Sequence, residues 1–348
     1  MRTGKSVKNW ISACLLLTLP EQSFASGYAI FTHGATALGE GLASTAHGSN
    51  PEVIFYNPAL ISKLEGTQAE NGVTFIVPRH DFHSNLENTT SRTESAVFFP
   101  STVYFTHQYN DKLSVGIGIF SPFGLGIEWK DDWEGRYITT QAEMQTFTIN
   151  PVIAYRLSPS VSIAAGVDVL RVDTTLQNKI NFSSLGLADG NQKFSGDGVG
   201  YGYNLGFYSE LTRTISFGLT YRSKLQLDID GNAKFDLPSD TLSPAFPNAA
   251  GRTSITFPNQ LHAAFAYSGI DKLTVELGLR WEGWSSYDEL RIELAQPVNG
   301  ATTVVTPKNW RNTLTLTMGG RYRLNDGVHL LAGYVRGEDP IPDDTFDP

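Results

Sequence analysis

The chain of 348 residues carries 26 Lys and Arg against 35 Asp and Glu, a net charge of −9, and is rich in Gly (33), Phe (20) and Tyr (14). That balance excludes a nucleic-acid binder, which needs a basic stripe. The single cysteine, Cys14, excludes a disulfide framework and a thiolate metal site.

The N-terminus reads as a processing segment. Arg2, Lys5 and Lys8 precede a short apolar run from Trp10 to Leu19, and Ser23-Phe24-Ala25 supplies small residues at signal-peptidase spacing. The run is shorter than the ~20 residues that span a bilayer. Ile11-Ser12-Ala13-Cys14 faintly resembles a lipoprotein box, but the apolar run follows the cysteine instead of preceding it. Residues 1–25 are therefore assigned to a secretory signal peptide. Beyond them no stretch reaches the length of a transmembrane helix, which leaves a closed β-barrel as the way to cross a membrane.

Residues 26–67 are weakly periodic and rich in small residues, including Gly34, Gly39, Gly41 and Ala43, and they run into Asn57-Pro58-Ala59. Some forty residues of this kind suit a plug packed closely against a barrel wall.

From residue 68 the period is two. Phe147, Ile149, Ile153, Tyr155 and Leu157 oppose Thr148, Asn150, Val152 and Ala154; Leu273, Val275, Leu277 and Leu279 oppose Thr274, Glu276, Gly278 and Arg280. The pattern predicts eleven strands, at 68–80, 95–109, 112–120, 142–157, 161–175, 198–211, 214–229, 252–268, 272–291, 308–323 and 328–337. Connections alternate between tight turns, such as Asn110-Asp111 and Thr212-Arg213, and long polar stretches at 81–94, 121–141, 176–197, 230–251 and 292–307. A soluble sandwich has no reason for that rhythm, whereas outer-membrane barrels have short turns at one rim and long loops at the other. The fold class is therefore all-β, a transmembrane antiparallel barrel with its apolar face to lipid. Aromatics near strand ends, among them Tyr109, Trp129, Trp133, Tyr155, Trp281, Trp284 and Tyr322, suit interfacial girdles. Bacterial single-chain barrels have even strand numbers, so eleven strands and a polar, acidic end at Phe346-Asp347-Pro348 imply a chain that stops before closure.

Several segments in one order carry a resemblance: Ser26-Gly-Tyr-Ala, Phe55-Tyr-Asn57-Pro58-Ala59-Leu, Pro100-Ser-Thr-Val-Tyr104, Ser121-Pro-Phe-Gly124, Asp131-Asp-Trp133-Glu-Gly135-Arg136-Tyr137, Trp281-Glu-Gly-Trp284 and Asn309-Trp310-Arg311-Asn312. From about residue 26 to its last residue the chain resembles the FadL/TodX-type outer-membrane transporters of long-chain fatty acids and other hydrophobic compounds. The resemblance implies a fourteen-stranded barrel, three strands more than found here, with residues 26–67 as a lumenal hatch and 68–348 as barrel. It also implies ligand capture between long loops, binding in the lumen, and lateral release into the bilayer by a route that a hatch rearrangement and an inward kink in the third strand open. The Asn-Pro-Ala triplet of aquaporins caps half-helices in a helical bundle, which this sequence lacks.

Carried onto this sequence, the loop groove falls at Ile180, Phe182, Leu185 and Leu187 in one loop and Phe235, Leu237 and Phe246 in another. Gly116, Gly118 and Phe120 on the third strand are lateral-gate candidates; lumenal glycines also serve merely to fit a plug. A fatty acid carboxylate would want a lumenal cation, and strand parity offers Arg156, Arg222, Arg280 and Arg311, each of which could equally pair across strands. No cofactor or metal is called for. The expected partners are a hydrophobic small molecule, outer-membrane lipid and the barrel-assembly machinery, with the chain a monomer in a Gram-negative outer membrane. Two other classes remain in view. An enzyme would need a cluster such as His80-Asp81-Phe82-His83, and a diffusion porin would not need a forty-residue plug.

Overall fold

The computed structural model describes residues 27–85 and 88–345, so the signal-peptide segment 1–25 lies outside the described residues. The first described segment, termed the hatch, carries two short helices, α1 (Ala35–Gly39) and α2 (Val53–Tyr56), and a 3-10 turn at Pro58–Lys63. Eighteen strand segments follow among the described residues: β1 (Thr67–Val73), β2 (Asp81–His83), β3 (Thr90–Arg92), β4 (Ser101–Gln108), β5 (Leu113–Phe120), β6 (Gly124–Glu128), β7 (Gln141–Ser158), β8 (Val161–Ile180), β9 (Gly190–Glu210), β10 (Ile215–Arg222), β11 (Leu225–Asp236), β12 (Ala249–Phe257), β13 (Gln260–Ile270), β14 (Leu273–Glu282), β15 (Glu289–Val298), β16 (Ala301–Pro307), β17 (Thr313–Asn325) and β18 (Val328–Gly337).

Eleven of these form the antiparallel path β1-β4-β5-β7-β8-β9-β10-β13-β14-β17-β18, the number of strands the periodicity predicts. β1 and β18 are the two ends of that path. β6, β11, β12, β15 and β16 extend wall strands beyond breaks, and β2–β3 is a separate hairpin in the first long connection. The long loops are shorter than the sequence suggests, because β8, β9 and β11 continue far past the wall and leave only 181–189 and 237–248 between strands.

The alternation has a physical source. Phe147, Ile149, Ile153, Tyr155 and Leu157 are exposed on the outside, whereas Thr148, Asn150, Val152 and Ala154 are buried inside. Phe147 to Leu157 spans about 33 Å along a strand at ~3.3 Å per residue, or about 25 Å of height at a tilt of about 40°, which matches an outer-membrane apolar band. Outward residues then turn polar at Gln145 on β7, Arg171 on β8 and Asp197 on β9. Not every aromatic predicted for the girdles joins one. Tyr109, Tyr155 and Tyr322 are exposed, but Trp129 and Trp133 stack on each other at 4.3 Å in a loop, and Trp284 is buried inside.

Parity flips once. Arg222 pairs Asn204 and Asp230 pairs Asp197, so β10 and β11 advance eight residues while β9 retreats seven. The extra residue sits at Ser223-Lys224, where Ser223 Oγ accepts from the Tyr203 amide at 2.9 Å. Such a bulge exchanges the two faces of a strand. Odd-numbered residues face out on β10, but Leu225, Leu227 and Ile229 of β11 are buried inside.

Candidate functional site: the lumen

The interior is built in three tiers. The lowest, at the short-turn rim, is filled by the hatch. Its placement begins with Asn57, an N-cap whose Oδ1 accepts from the Ala59 amide at 3.1 Å while Pro58 opens the 3-10 turn. That leaves the Asn57 Nδ2 to donate to Thr45 O at 2.8 Å within the hatch and to Phe207 O at 2.9 Å on β9. The contact requires Gly206, where an added Cβ would stand 2.6 Å from Asn57 Oδ1. Each residue of the Asn-Pro-Ala motif thus has a local task, and the motif as a whole ties the plug to the wall.

Above the hatch lies a buried polar belt. Arg222 donates to Asp168 at 2.6 Å and to Phe55 O of the hatch at 3.2 Å, and its guanidinium lies 4.9 Å from the Phe55 ring. Arg280 donates to Glu282 at 2.7 Å, and Gln260 donates to the same oxygen at 2.8 Å. Three groups here keep nitrogens with no hydrogen-bond partner among the described residues: Arg280 Nε, His262 Nε2 and both ring nitrogens of His33. His33 stacks on Phe55 at 3.6 Å. Burial, with the charges of Arg280 and Arg222 nearby, holds its imidazole well below the ordinary histidine range, so it is neutral.

The top tier is an apolar cluster. Leu170 and Val172 of β8, Leu225, Leu227 and Ile229 of β11, and Phe257 of β12 belong to one buried cluster with Trp284 and Trp310. Phe123 stacks on Phe257 at 4.2 Å, and Tyr28 packs against Trp310 at 4.7 Å and Tyr287 at 5.7 Å.

The wall is interrupted beside this cluster. Phe120 pairs Thr148 and Gly124 pairs Gln145, so β5 and β6 advance four residues while β7 retreats three. At the break, residues 121–123 turn inward and pair with the N-terminal segment: Ile30 N donates to Pro122 O at 3.0 Å and Gly124 N to Tyr28 O at 2.8 Å. β4 pairs β5 only up to Ile119. Above that point no ladder joins residues 95–102 to 121–127 among the described residues, and Phe98 lies over Gly126, where a Cβ would stand 2.0 Å from its ring.

The sequence-predicted residues divide accordingly. Gly116 and Gly118 lie in an unbroken stretch of β5 and receive Ile54 of the hatch, which would stand 2.9 and 3.0 Å from added Cβ atoms; Phe120 packs on Phe55 at 5.1 Å. The strand break lies just beyond them, at 121–123, because Pro122 has no amide to continue the ladder. Phe182, Phe235 and Phe246 come together, with Phe246 5.4 Å from Phe182 and 5.8 Å from Phe235, while Leu185 is exposed and Ile180 ends β8 in register with Gly190. Leu187 and Leu237 are half-buried in the same two loops. Arg222 and Arg280 reach the polar belt. Arg156 does not; it donates to Ser62 O at the foot of the hatch. Arg311 does not face the lumen either: it precedes β17 and is exposed, and its neighbour Trp310 turns inward. The enzyme candidate resolves into the outer hairpin, with Asp81 held by Arg92 at 2.7 Å and His83 by Thr90 at 3.1 Å.

Sequence reasoning missed His33, His262 and the whole apolar cluster. The available signal was length. About 9–11 residues cross the bilayer, so a strand at 214–229 is too long to face lipid throughout, and its upper half had to do something else.

The comparisons agree with this architecture. The profile of the family described as outer membrane protein transport protein (OMPP1/FadL/TodX) matches residues 16–348. The long-chain fatty acid transport protein of Escherichia coli O6:H1 is 22% identical over 95% of this chain and 82% of its own length. Outer membrane protein P1 of Haemophilus influenzae is 20% identical over 89% of this chain and 76% of its own. Among solved structures, a Pseudomonas aeruginosa FadL homologue superposes with a TM-score of 0.78 at 16% identity, covering 92% of this chain and 83% of that one. The Pseudomonas putida toluene transporter TodX gives 0.72 at 19% identity, covering 91% and 87%. With the family profile spanning both hatch and wall, this chain is an outer-membrane β-barrel protein of the OMPP1/FadL/TodX transport family.

Proposed function

We propose that the protein carries hydrophobic molecules, long-chain fatty acids first among them, across the outer membrane by loop capture, lumenal binding and lateral release. The observation that carries this is the apolar cluster above a polar belt, bordered by a broken wall, which would line a chamber for an acyl chain. An apolar chain gains by leaving water for the chamber, and gains again by leaving through the wall into hydrocarbon instead of passing a polar, hatch-filled lumen. The aromatic group Phe182, Phe235 and Phe246 at the loops offers first contact. For an acyl chain lodged above, the belt offers Arg280 Nε with Arg222, His262 and His33 as head-group donors. The break at 121–123, covered by Phe98, is the proposed exit, in place of the glycines at 116 and 118. Insertion would use the barrel-assembly machinery, and the monomer would be the working unit, since hatch, belt and chamber all come from one chain.

A second reading, uptake of aromatic hydrocarbons by the same route, draws on Tyr28, Trp284, Tyr287 and Trp310, which would stack well against a flat ring. Binding of a fluorescent fatty acid to the folded protein, competed with oleate and with toluene, separates the two. Displacement by oleate supports fatty acid transport, and displacement by toluene alone moves the cargo to aromatics. Absence of saturable binding overturns both and favours a diffusion porin.

A further inference from the structure

Among the contacts of the hatch with the wall, two groups differ in chemistry. At β9 and its neighbours Asn57 and Ser62 make neutral contacts, beside an ion pair of Lys63 with Glu210 at 2.5 Å toward the rim. The Asn57 amide bonds Phe207 O, and Ser62 Oγ donates to Ser162 Oγ of β8 at 2.8 Å. Farther round the wall, at β14 and β17, the contact is ionic. The buried carboxylate of Glu276 on β14 accepts three consecutive hatch amides: Thr45 at 2.9 Å, Ala46 at 2.8 Å and His47 at 3.0 Å. It also meets His47 Nδ1 at 2.8 Å. The other ring nitrogen of His47 lies 2.9 Å from Glu40, and Glu40 takes Arg321 of β17 at 2.5 Å. Arg321 also donates to Ser49 Oγ at 2.6 Å.

We infer that Glu276 is the positioning residue that latches the hatch shut, with His47, Glu40 and Arg321 completing the latch and Asn57 serving as the hinge. Three successive amides converging on one carboxylate form an anion nest, and the nest exists only while the 45–47 turn lies against β14. The wall is shaped for that position. An added Cβ at Gly218 would stand 1.9 Å from Thr45 O, and one at Gly319 2.0 Å from Glu40 O. Thr45 links the two attachments, since its amide binds Glu276 and its carbonyl binds Asn57.

The four charged groups are two carboxylates, an arginine and His47, so one proton on His47 sets the balance. Burial alone would lower the affinity of His47 for that proton. The hydrogen bonds and charges of Glu276 and Glu40 outweigh burial and raise its pKa to about 9. A histidine raised in the folded state contributes stability that is complete below its ordinary pKa near 6.5 and is lost as pH rises through about 9. The neutral contacts of Asn57 do not titrate.

The inference rests on the transport reading only in taking the hatch to block a path. The test is conductance of the full chain in planar lipid bilayers, with heat-modifiable migration reporting the fold and fluorescent fatty acid binding run on the same samples. Expected results are an alkaline opening of the wild type above about pH 9, and Glu276→Gln opening at least ~10-fold more often at pH 7 with no further alkaline rise. Ser62→Ala, at the hinge side, should keep the wild-type pH profile. Wild-type conductance that stays flat from pH 7 to 10 overturns the latch even if Glu276→Gln fails to fold. A folded Glu276→Gln that stays closed at pH 7, or keeps the alkaline rise, overturns it as well. If no fatty acid or toluene binds while the pH response appears, the latch stands and the proposed cargo fails.

Discussion

The lower and upper lumen are lined by the same wall and its strand extensions and differ in chemistry. In the lower tier the wall offers glycines and polar groups beside a few apolar side chains such as Tyr104 and Val152, and the chain fills the space with its own hatch. In the upper tier the wall offers Leu225, Leu227, Ile229 and Phe257, which belong to one apolar cluster with the Tyr28 side chain of the N-terminal segment. The difference teaches that a barrel interior is assigned by height as well as by parity. Backbone can be laid against backbone only where the wall lacks side chains, whereas apolar cargo can be held only where the wall supplies them and water is excluded.

The largest expected effect comes from making the lower tier resemble the upper. Gly218→Leu would drive a side chain into Thr45 O, and neither backbone can yield without breaking the Glu276 nest. Overpacking of this kind costs about 1–3 kcal/mol or more. The expected outcome is a folded barrel with a displaced hatch, read as limited proteolysis within residues 27–66. A hatch as resistant as that of the wild type would mean that the tier is not close-packed.

The reverse exchange should act on ligand alone. Leu227→Asp places a carboxylate in the apolar cluster of the proposed chamber, where an unpaired charge is poorly solvated. Fluorescent fatty acid affinity should fall at least ~10-fold, about 1.4 kcal/mol, with protease resistance of the hatch unchanged. Equal affinity would remove the chamber from the binding path.

The smallest effect sharpens the comparison through pH. Glu52 of the hatch accepts the Ala37 amide at 2.7 Å, and burial first, then the neighbouring charge of Glu70, raises its pKa to about 7. A carboxyl raised in the folded state favours folding while protonated. Its contribution is therefore complete below its ordinary pKa near 4.5 and is lost as pH rises through about 7. Hatch protection should weaken modestly from pH 5 to 8 in the wild type and lose that slope in Glu52→Gln. An unchanged slope would place the titration elsewhere.

Much of the wall was legible beforehand for a simple reason. A strand with lipid on one side must alternate, and alternation is local, so the outward Phe147, Ile149, Ile153 and Tyr155 could be read one residue at a time. Strand ends were less legible, because the ladder of β8 and β9 continues beyond the membrane, where nothing compels alternation of one kind. Of the cations, parity placed Arg222 and Arg280 inside, but it could not tell that the hatch takes Arg156 or that the chain leaves the strand before Arg311.

By itself the sequence determined an all-β chain with period-two strands, an apolar belt and a small-residue segment ending in Asn57-Pro58-Ala59, since each of these follows from neighbours within a few residues. Only the tertiary structure decided which side of each strand means lipid, hatch or chamber. One extra residue at Ser223-Lys224 reverses the faces of a strand with no change in the apolar pattern. The Glu276 nest likewise joins residues more than two hundred positions apart, and no local pattern records that distance.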